Sequence, residues 1–477
     1  MADNLRRTVI VVIAMFVMVT AVKSLHGVNS DDRGSPCQQM RGECRAKTYQ
    51  TDDEAVFRNV SCYCTHGEEV SQYLETLGSA NCMNVFGEQV DFSILHIVGC
   101  NVTSQAPLQS LLNTFRRTSD HMELYVEGSG WLSLASPSLA SPSLALARPP
   151  HTITATFLNS NMSGMPADVV SGAAVSASVV MEGCQAGVLD ARSFSGYGAD
   201  ANVTIAFRDT KILTVKKGAF DLPRKAQMEV RGGEILKFEG FSYSGGAELT
   251  LDGVKGAILL QSALSIYGLK KLSVTNCSVA AVYFKALGHR PPSYARNITI
   301  GGGVEEGSEA TFSNNKFMEG NGQAFAQLCN FAKIKWHNNT VLTTNGMPLR
   351  VQGPECSTPR NWSLVFSFNS ISCERCTDFT NPDAQTCALF ASSYCISCET
   401  PLDGCYEPVL PYVTSKCQAS HPDLANALRD TCPAAISKRT PKALYSQSSG
   451  DKSAASLRRP LALGVALCVS VLLCVAV

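Results

Sequence analysis

The stretches ATFSNNKFMEGNGQAF (310–325) and IKWHNNTVLTTNGMPLRVQG (334–353) share one short pattern. An apolar residue is followed by any residue, a second apolar residue and two others. Then comes Asn, Cys, Gly or another small residue, one other, and often a further apolar residue. Working outward, clear copies are LHIVGCNV (Leu95–Val102), VVMEGCQA (Val179–Ala186), LSVTNCSV (Leu272–Val279) and LVFSFNSI (Leu364–Ile371). Looser copies are LYVEGSGW, IAFRDTKI, MEVRGGEI and LTLDGVKG. Marked by the second apolar residue, the copies fall at Ile97, Val126, Phe157, Met181, Phe207, Val230, Leu251, Val274, Phe312, Trp336 and Phe366. Most steps lie near 24 residues. The step of 31 to Phe157 holds the tandem ASPSLASPSL, and the step of 38 to Phe312 holds GHRPPSYARN, both of which must loop out. Ile298-Thr299-Ile300 in the second insertion offers a further strand. A repeat of this length with a short strand per copy reads as a solenoid, because one copy alone cannot bury its apolar side while stacked copies share a core.

Two solenoids use this pattern. The two stretches quoted first resemble coils of right-handed parallel β-helices of the pectate-lyase type, with a strand, an Asn-rich turn and a second strand. FSILHIVGCNV and LKKLSVTNCSV resemble leucine-rich repeats. The second kind needs an apolar, often helical, return, and APLQSLLNTFRRTSDH (106–121) suits one. Later returns such as TTNGMPLRVQG hold Gly and Pro, which disfavour helix. The favoured fold is therefore all-β, a right-handed parallel β-solenoid with disulfide-rich terminal caps. A leucine-rich repeat solenoid is the alternative.

At the turn of successive copies stand Asn315, Asn339 and Asn369. Stacked, they would form a ladder of amides; singly, they would be ordinary turn formers. Cys184 and Cys277 occupy the same place four copies apart, about 19 Å at about 4.8 Å per strand. That exceeds the roughly 7 Å limit for a disulfide, so both are expected free, buried and inert. Cys329 and Cys356 lie about one copy apart and are expected to pair. The remaining mature cysteines cluster at the two ends of the repeats. Cys37, Cys44, Cys62, Cys64, Cys82 and Cys100 come before or at the first copy. Cys373, Cys376, Cys387, Cys395, Cys398, Cys405, Cys417 and Cys432 follow the last. Such clusters suit caps over the apolar ends of a stack.

The termini speak for export. Arg6 and Arg7 precede an apolar run, Thr8 to Val22, the layout of a signal peptide. At the other end Ser448, Ser449 and Gly450 precede the polar spacer DKSAASLRRP and an apolar tail, Leu461 to Val477. This is the pattern for a glycosylphosphatidylinositol anchor, with Ser448 receiving the lipid. Eight Asn-x-Ser/Thr sites lie between: Asn59, Asn101, Asn161, Asn202, Asn276, Asn297, Asn338 and Asn361. They are expected to carry glycans on a secreted chain. The organisation expected is signal peptide 1–24, N-terminal cysteine-rich cap 25–91, repeat domain 92–372, C-terminal cysteine-rich cap 373–432, stalk 433–448 and anchor propeptide 449–477.

Signals for chemistry are weak. Lys and Arg number 40 and Asp and Glu 40, so no charge excess points to nucleic acid. Cys373-x2-Cys376 with Cys395-x2-Cys398 has zinc-ribbon spacing, but in an oxidising compartment disulfides account for it better. A β-helix carbohydrate-active enzyme would need converging carboxylates. Asp209, Glu229, Glu234, Glu239 and Asp252 are scattered and read as solvated charges. His96, His121, His151, His289 and His337 do not recur at ligand spacing. No nucleophile elbow or phosphate loop is present, and Gly301–Gly303 reads as a flexible turn. No catalytic residue, metal or cofactor is therefore assigned. The expectation is a non-enzymatic, lipid-anchored surface glycoprotein that binds an extracellular protein or glycan, in adhesion or as a receptor. A surface carbohydrate-active enzyme is the alternative.

Overall fold

A computed structural model of the chain describes residues 44–51, 54–77, 90–103, 111–112, 115, 118–131, 151–165, 174–240, 242–261, 263–265, 268–283, 286–288, 307–320, 328, 331–342, 363–379, 384–396 and 407–432. The expected signal peptide, stalk, Ser448 and anchor propeptide lie outside the described residues. So do Asn297, Asn361, Cys329, Cys356 and the strand suggested at Ile298–Ile300.

The described chain is mostly β, in two long and mostly parallel sheets of thirteen strands each. Sheet A holds β1 (Cys44–Gln50), β2 (Val56–Tyr63), β3 (Val90–Val98), β5 (Ser119–Glu127), β7 (Thr152–Leu158), β9 (Ser176–Glu182) and β11 (Asn202–Arg208). It continues through β14 (Gln227–Arg231), β17 (Glu248–Asp252), β20 (Lys271–Thr275), β23 (Glu309–Ser313), β25 (Lys333–His337) and β27 (Ser363–Ser367). Sheet B holds β4 (Asn101–Val102), β6 (Gly130–Trp131), β8 (Asn161–Met165), β10 (Gln185–Leu189), β12 (Lys211–Val215), β15 (Glu234–Phe238) and β18 (Lys255–Leu259). Its remaining strands are β21 (Ser278–Val282), β24 (Lys316–Gly320), β26 (Thr340–Val341), β28 (Asn369–Ile371), β29 (Ser393–Cys395) and β30 (Glu407–Pro408). A short third sheet joins β13 (Phe220–Leu222), β16 (Tyr243–Gly245), β19 (Leu264–Ser265) and β22 (Leu287–Gly288), all parallel. From β3 to β28 each repeat lays one strand on sheet A and, after a tight turn, one on sheet B.

The eleven marker residues of the sequence pattern are direct partners in sheet A. Ile97 pairs with Val126, and the column continues through Phe157, Met181, Phe207, Val230, Leu251, Val274, Phe312, Trp336 and Phe366 without a slip. Register is firm because a slip of one residue would turn every apolar side chain outward. The pairing stays in register across the insertions after Val126 and Val274. The parallel ladder also reaches back into the cysteine-rich stretch, where Cys62 pairs with Ile97.

The turn after each marker has one fixed form. Two positions on, the backbone has positive φ in all eleven repeats: Gly99, Gly128, Asn159, Gly183, Asp209, Gly232, Gly253, Asn276, Asn314, Asn338 and Phe368. Gly and Asn adopt this left-handed conformation with least strain. Three positions on, the side chain points inward. Ser129 and Thr210 hydroxyls donate to Ile97 O at 3.3 Å and Met181 O at 3.1 Å, and the thiols of Cys184 and Cys277 to Phe157 O at 3.3 Å and Leu251 O at 3.5 Å. Each acceptor is the marker carbonyl of the preceding repeat. Asn315, Asn339 and Asn369 form the expected ladder. Asn315 Nδ2 donates to Asn339 Oδ1 at 2.9 Å and to Val274 O at 2.8 Å, while Asn339 Nδ2 reaches Phe312 O at 2.9 Å and Asn369 Oδ1 at 3.4 Å. All three are buried.

Between the sheets lies one continuous core, with Phe157, Phe207, Phe312 and Trp336 among its largest buried side chains. Cys184 and Cys277 are free and buried, as their spacing implied. The return after the first repeat is helical at positions 111, 112, 115 and 118 and buries Leu111, Leu112 and Phe115. Among the described residues, four later returns carry the third sheet instead.

Disulfides tie both ends. At the start, β1 runs antiparallel to β2 and is bonded to it by Cys44–Cys62, and Cys64–Cys100 links β2 to the first repeat. Helix α1 (Ser71–Leu77) buries Tyr73, Leu74 and Leu77 there. At the other end, a 3-10 turn (Cys376–Phe379) and helices α2 (Ala384–Ala391), α3 (Val409–Cys417) and α4 (Pro422–Thr431) are held by Cys373–Cys395, Cys376–Cys417 and Cys387–Cys432. The cysteines with zinc-ribbon spacing that are described are thus in disulfides, and Cys398 lies outside the described residues.

Candidate binding face

Strands alternate inward and outward residues, so the outer face of sheet A displays columns of side chains aligned by the register. At its N-terminal end one column is aromatic. Tyr49, Phe57, Phe92 and His121 are successive pairing partners. Their rings stack at 5.4, 4.5 and 4.7 Å between centroids. All four are partly exposed. The next column holds Asn59, Ile94 and Glu123, and beyond it stand Ser61, His96 and Tyr125, then Tyr63, Val98 and Glu127, again strand by strand. Tyr63 is 54% exposed. His96 meets Tyr125 at 5.4 Å, and its Nε2 lies 3.2 Å from Glu123 Oε1. Tyr125 donates its hydroxyl to Glu127 Oε2 at 2.7 Å.

Burial and the adjacent Glu127 carboxylate push the Tyr125 hydroxyl up to about 12. It therefore stays a protonated donor across physiological pH. The face combines flat apolar area with hydroxyl, imidazole and carboxylate groups at its edges. Aromatic residues with a polar tip are the side chains that dominate binding surfaces, because they bury much area for little lost freedom.

The six described residues expected to carry sugar lie on the surface. Asn101, Asn161, Asn202, Asn276 and Asn338 are exposed and Asn59 is partly so. Asn276 and Asn338 stand at the left-handed turn position and belong to a second, outer ladder. Asn276 Nδ2 donates to Asp252 Oδ1 at 2.8 Å, Asn314 Nδ2 to Asn276 Oδ1 at 3.2 Å, and Asn338 Nδ2 to Asn314 Oδ1 at 2.8 Å. Asn101 and Asn161 follow the same corner at the start of β4 and β8. Asn202 opens β11, and Asn59 lies within the aromatic face, two residues from Phe57.

The acidic residues weighed for catalysis do not converge. Glu229 Oε1 is 2.6 Å from Arg231 Nη2, Glu234 Oε2 is 3.0 Å from Lys211 Nζ, and Glu239 Oε1 is 3.8 Å from Lys237 Nζ. Asp252 accepts from Thr275 and Asn276, and Asp209 sits in a turn under Gly232. His337 is exposed on its strand with Nδ1 2.7 Å from Ser367 Oγ, beside buried Trp336. Among the described residues no group of three His, Cys, Asp or Glu side chains is placed to hold a metal ion, and no helix is long and apolar enough to cross a membrane.

The aromatic column was not singled out in the sequence. Its members are separated by insertions of different length, and only the register brings them together. Comparison with family models, curated proteins and solved structures yields no match.

Proposed function

We propose that the chain is a right-handed parallel β-helix displayed on the outer leaflet of the plasma membrane, where it binds a macromolecular or glycan ligand without catalysing a reaction. The unbroken sheet A register and the alternation between two parallel sheets support the helix, and crossovers between parallel strands are overwhelmingly right-handed. The five disulfides among the described residues fit an exported protein. The signal peptide, the anchor at Ser448 and glycans on the eight Asn sites complete this reading from sequence. A protein so anchored has no cytoplasmic segment, so it acts by presenting, capturing or adhering, or through a co-receptor.

The observation that carries the binding role is the face built on Tyr63, His96 and Tyr125. The column of Asn59, Ile94 and Glu123 separates it from the Tyr49–His121 stack, so the ligand is expected to engage the Tyr63 side, away from a glycan at Asn59. The test begins with intact cells treated with a phosphatidylinositol-specific phospholipase, which should release the protein. The soluble product is then screened against glycan and cell-surface protein arrays. Tyr63→Ala should weaken the ligand found by roughly tenfold or more. Retention on phospholipase-treated cells would refute the anchor, and a ligand indifferent to Tyr63→Ala and Tyr125→Ala would refute the face.

A further inference from the structure

Sheet A ends at β27, while sheet B continues beyond β28 with β29 and β30. Every earlier repeat lays a strand on sheet A before adding one to sheet B. Between β28 and β29 the chain instead runs through the 3-10 turn and α2. Among the described residues, β27 is therefore an edge strand. Its bonds to β25 use odd-numbered residues: Ser363 N donates to Ala332 O at 2.8 Å, and Ser367 O accepts from Asn338 N at 2.9 Å. In a parallel pair alternate residues bond to alternate sides, so the N–H and C=O groups of Leu364 and Phe366 face the open edge.

Beyond that edge lies a cavity of about 1030 Å³, lined by β27 and by residues such as Phe390, Leu410, Leu428 and Arg429. Leu364 and Phe366 form its floor and are only partly buried, whereas the equivalent inward pair is buried in all ten earlier repeats. Val365 beside them is 46% exposed. Among the described residues Arg429 is the one charged residue in the lining. Its guanidinium donates to two neutral side-chain oxygens, Gln418 Oε1 at 2.9 Å and Asn426 Oδ1 at 3.3 Å.

We propose that this cavity is a docking site for an extended peptide of a partner protein, which adds to β27 as a further strand of sheet A. The edge supplies main-chain hydrogen bonds, and the floor selects apolar residues at alternate positions. Arg429, with no carboxylate among the described lining residues, selects an acidic residue near one end of the segment. A hydrocarbon chain would match the floor but leave the edge N–H and C=O groups without partners. A peptide matches both.

The probe is a synthetic, dye-labelled peptide copying residues 308–314 (SEATFSN). This segment contains β23, has Ala and Phe at alternate positions, and bears one Glu. It is titrated into the full mature ectodomain. Two N-methylated versions, at Glu309, Thr311 and Ser313 or at Ala310 and Phe312, each remove the donors of one edge. One version should lose affinity by roughly tenfold or more while the other binds like the parent. Arg429→Gln should weaken the parent peptide, and amide exchange at Leu364 and Phe366 should slow on binding. The methylated peptides change the probe rather than the fold. Absence of saturable binding, equal binding of both methylated forms, or unchanged exchange at β27 would overturn the proposal. Displacement of the parent peptide by palmitate together with unchanged exchange would reassign the cavity to an acyl chain. None of these outcomes bears on the Tyr63 face, so the two readings fail separately.

Discussion

At the level of single residues, the inner corner is held by side chains that bond to the carbonyl left over by the turn before. Asn339 shows what such a residue does. Its Oδ1 accepts from Asn315 N at 3.1 Å and from Asn315 Nδ2 at 2.9 Å, while its Nδ2 serves Phe312 O. Asn339→Ala would strand buried donors and an acceptor at about 1–3 kcal/mol each. We expect about 3–5 kcal/mol lost in urea unfolding, with the Asn338 glycosylation site intact because the middle residue of that site is free to vary. Cys277 fills the same corner with sulfur. Burial pushes its thiol up to about 11, so at pH 8 it should resist iodoacetamide until the protein unfolds. The sign follows: the folded state holds the proton more tightly than the unfolded one. Stability should therefore be unaffected by this group below about pH 8.5 and should fall as pH rises towards 11. Thermal melts between pH 8 and 11, compared with Cys277→Ser, check this.

At the level of the element, the repeat is a strand, a left-handed corner and a second strand. Its glycines are not equivalent. A Cβ on Gly233 would lie 2.2 Å from Thr210 O and 2.6 Å from Thr210 N, on a backbone with φ +72°. Both obstacles are main chain of the adjacent repeat and cannot swing away. A Cβ on Gly128, with φ +55°, meets nothing within 4 Å. Gly128→Ala should cost about 1 kcal/mol from the left-handed conformation alone. Gly233→Ala should cost several times more, read as a larger fall in urea midpoint. The element was largely legible beforehand, since the apolar-any-apolar triplet and the small residue after it name the strand and the inward corner. The residue between them, Gly or Asn in nine of the eleven repeats, also carried a turn signal of its own. Phe368 shows the limit of that signal, because there the stack imposes positive φ on an aromatic residue.

At the scale of the whole molecule, stability rests on closing the two ends of a long core. The C-terminal helices are short, and three disulfides spanning 22, 41 and 45 residues hold them over the last strands. Each such bond is worth about 2–4 kcal/mol. Mild reduction should therefore loosen the C-terminal helices first. Limited proteolysis with and without dithiothreitol should show early cuts within residues 384–432, while residues 174–283, which hold no disulfide, stay protected. Simultaneous digestion of both regions would show that the caps and the repeats unfold as one unit.

The sequence by itself determined which residues face inward, where each copy begins and how the copies align, because an apolar strand in a shared core has one register that buries its side chains. It also determined that Cys184 and Cys277 stand too far apart to bond. The tertiary structure alone decided the disulfide partners among the described cap cysteines, the aromatic column from Tyr49 to His121, and the open edge at β27. Those depend on which residues stacking makes neighbours across separations of tens of residues, and on where the chain stops adding strands, and no local pattern encodes either.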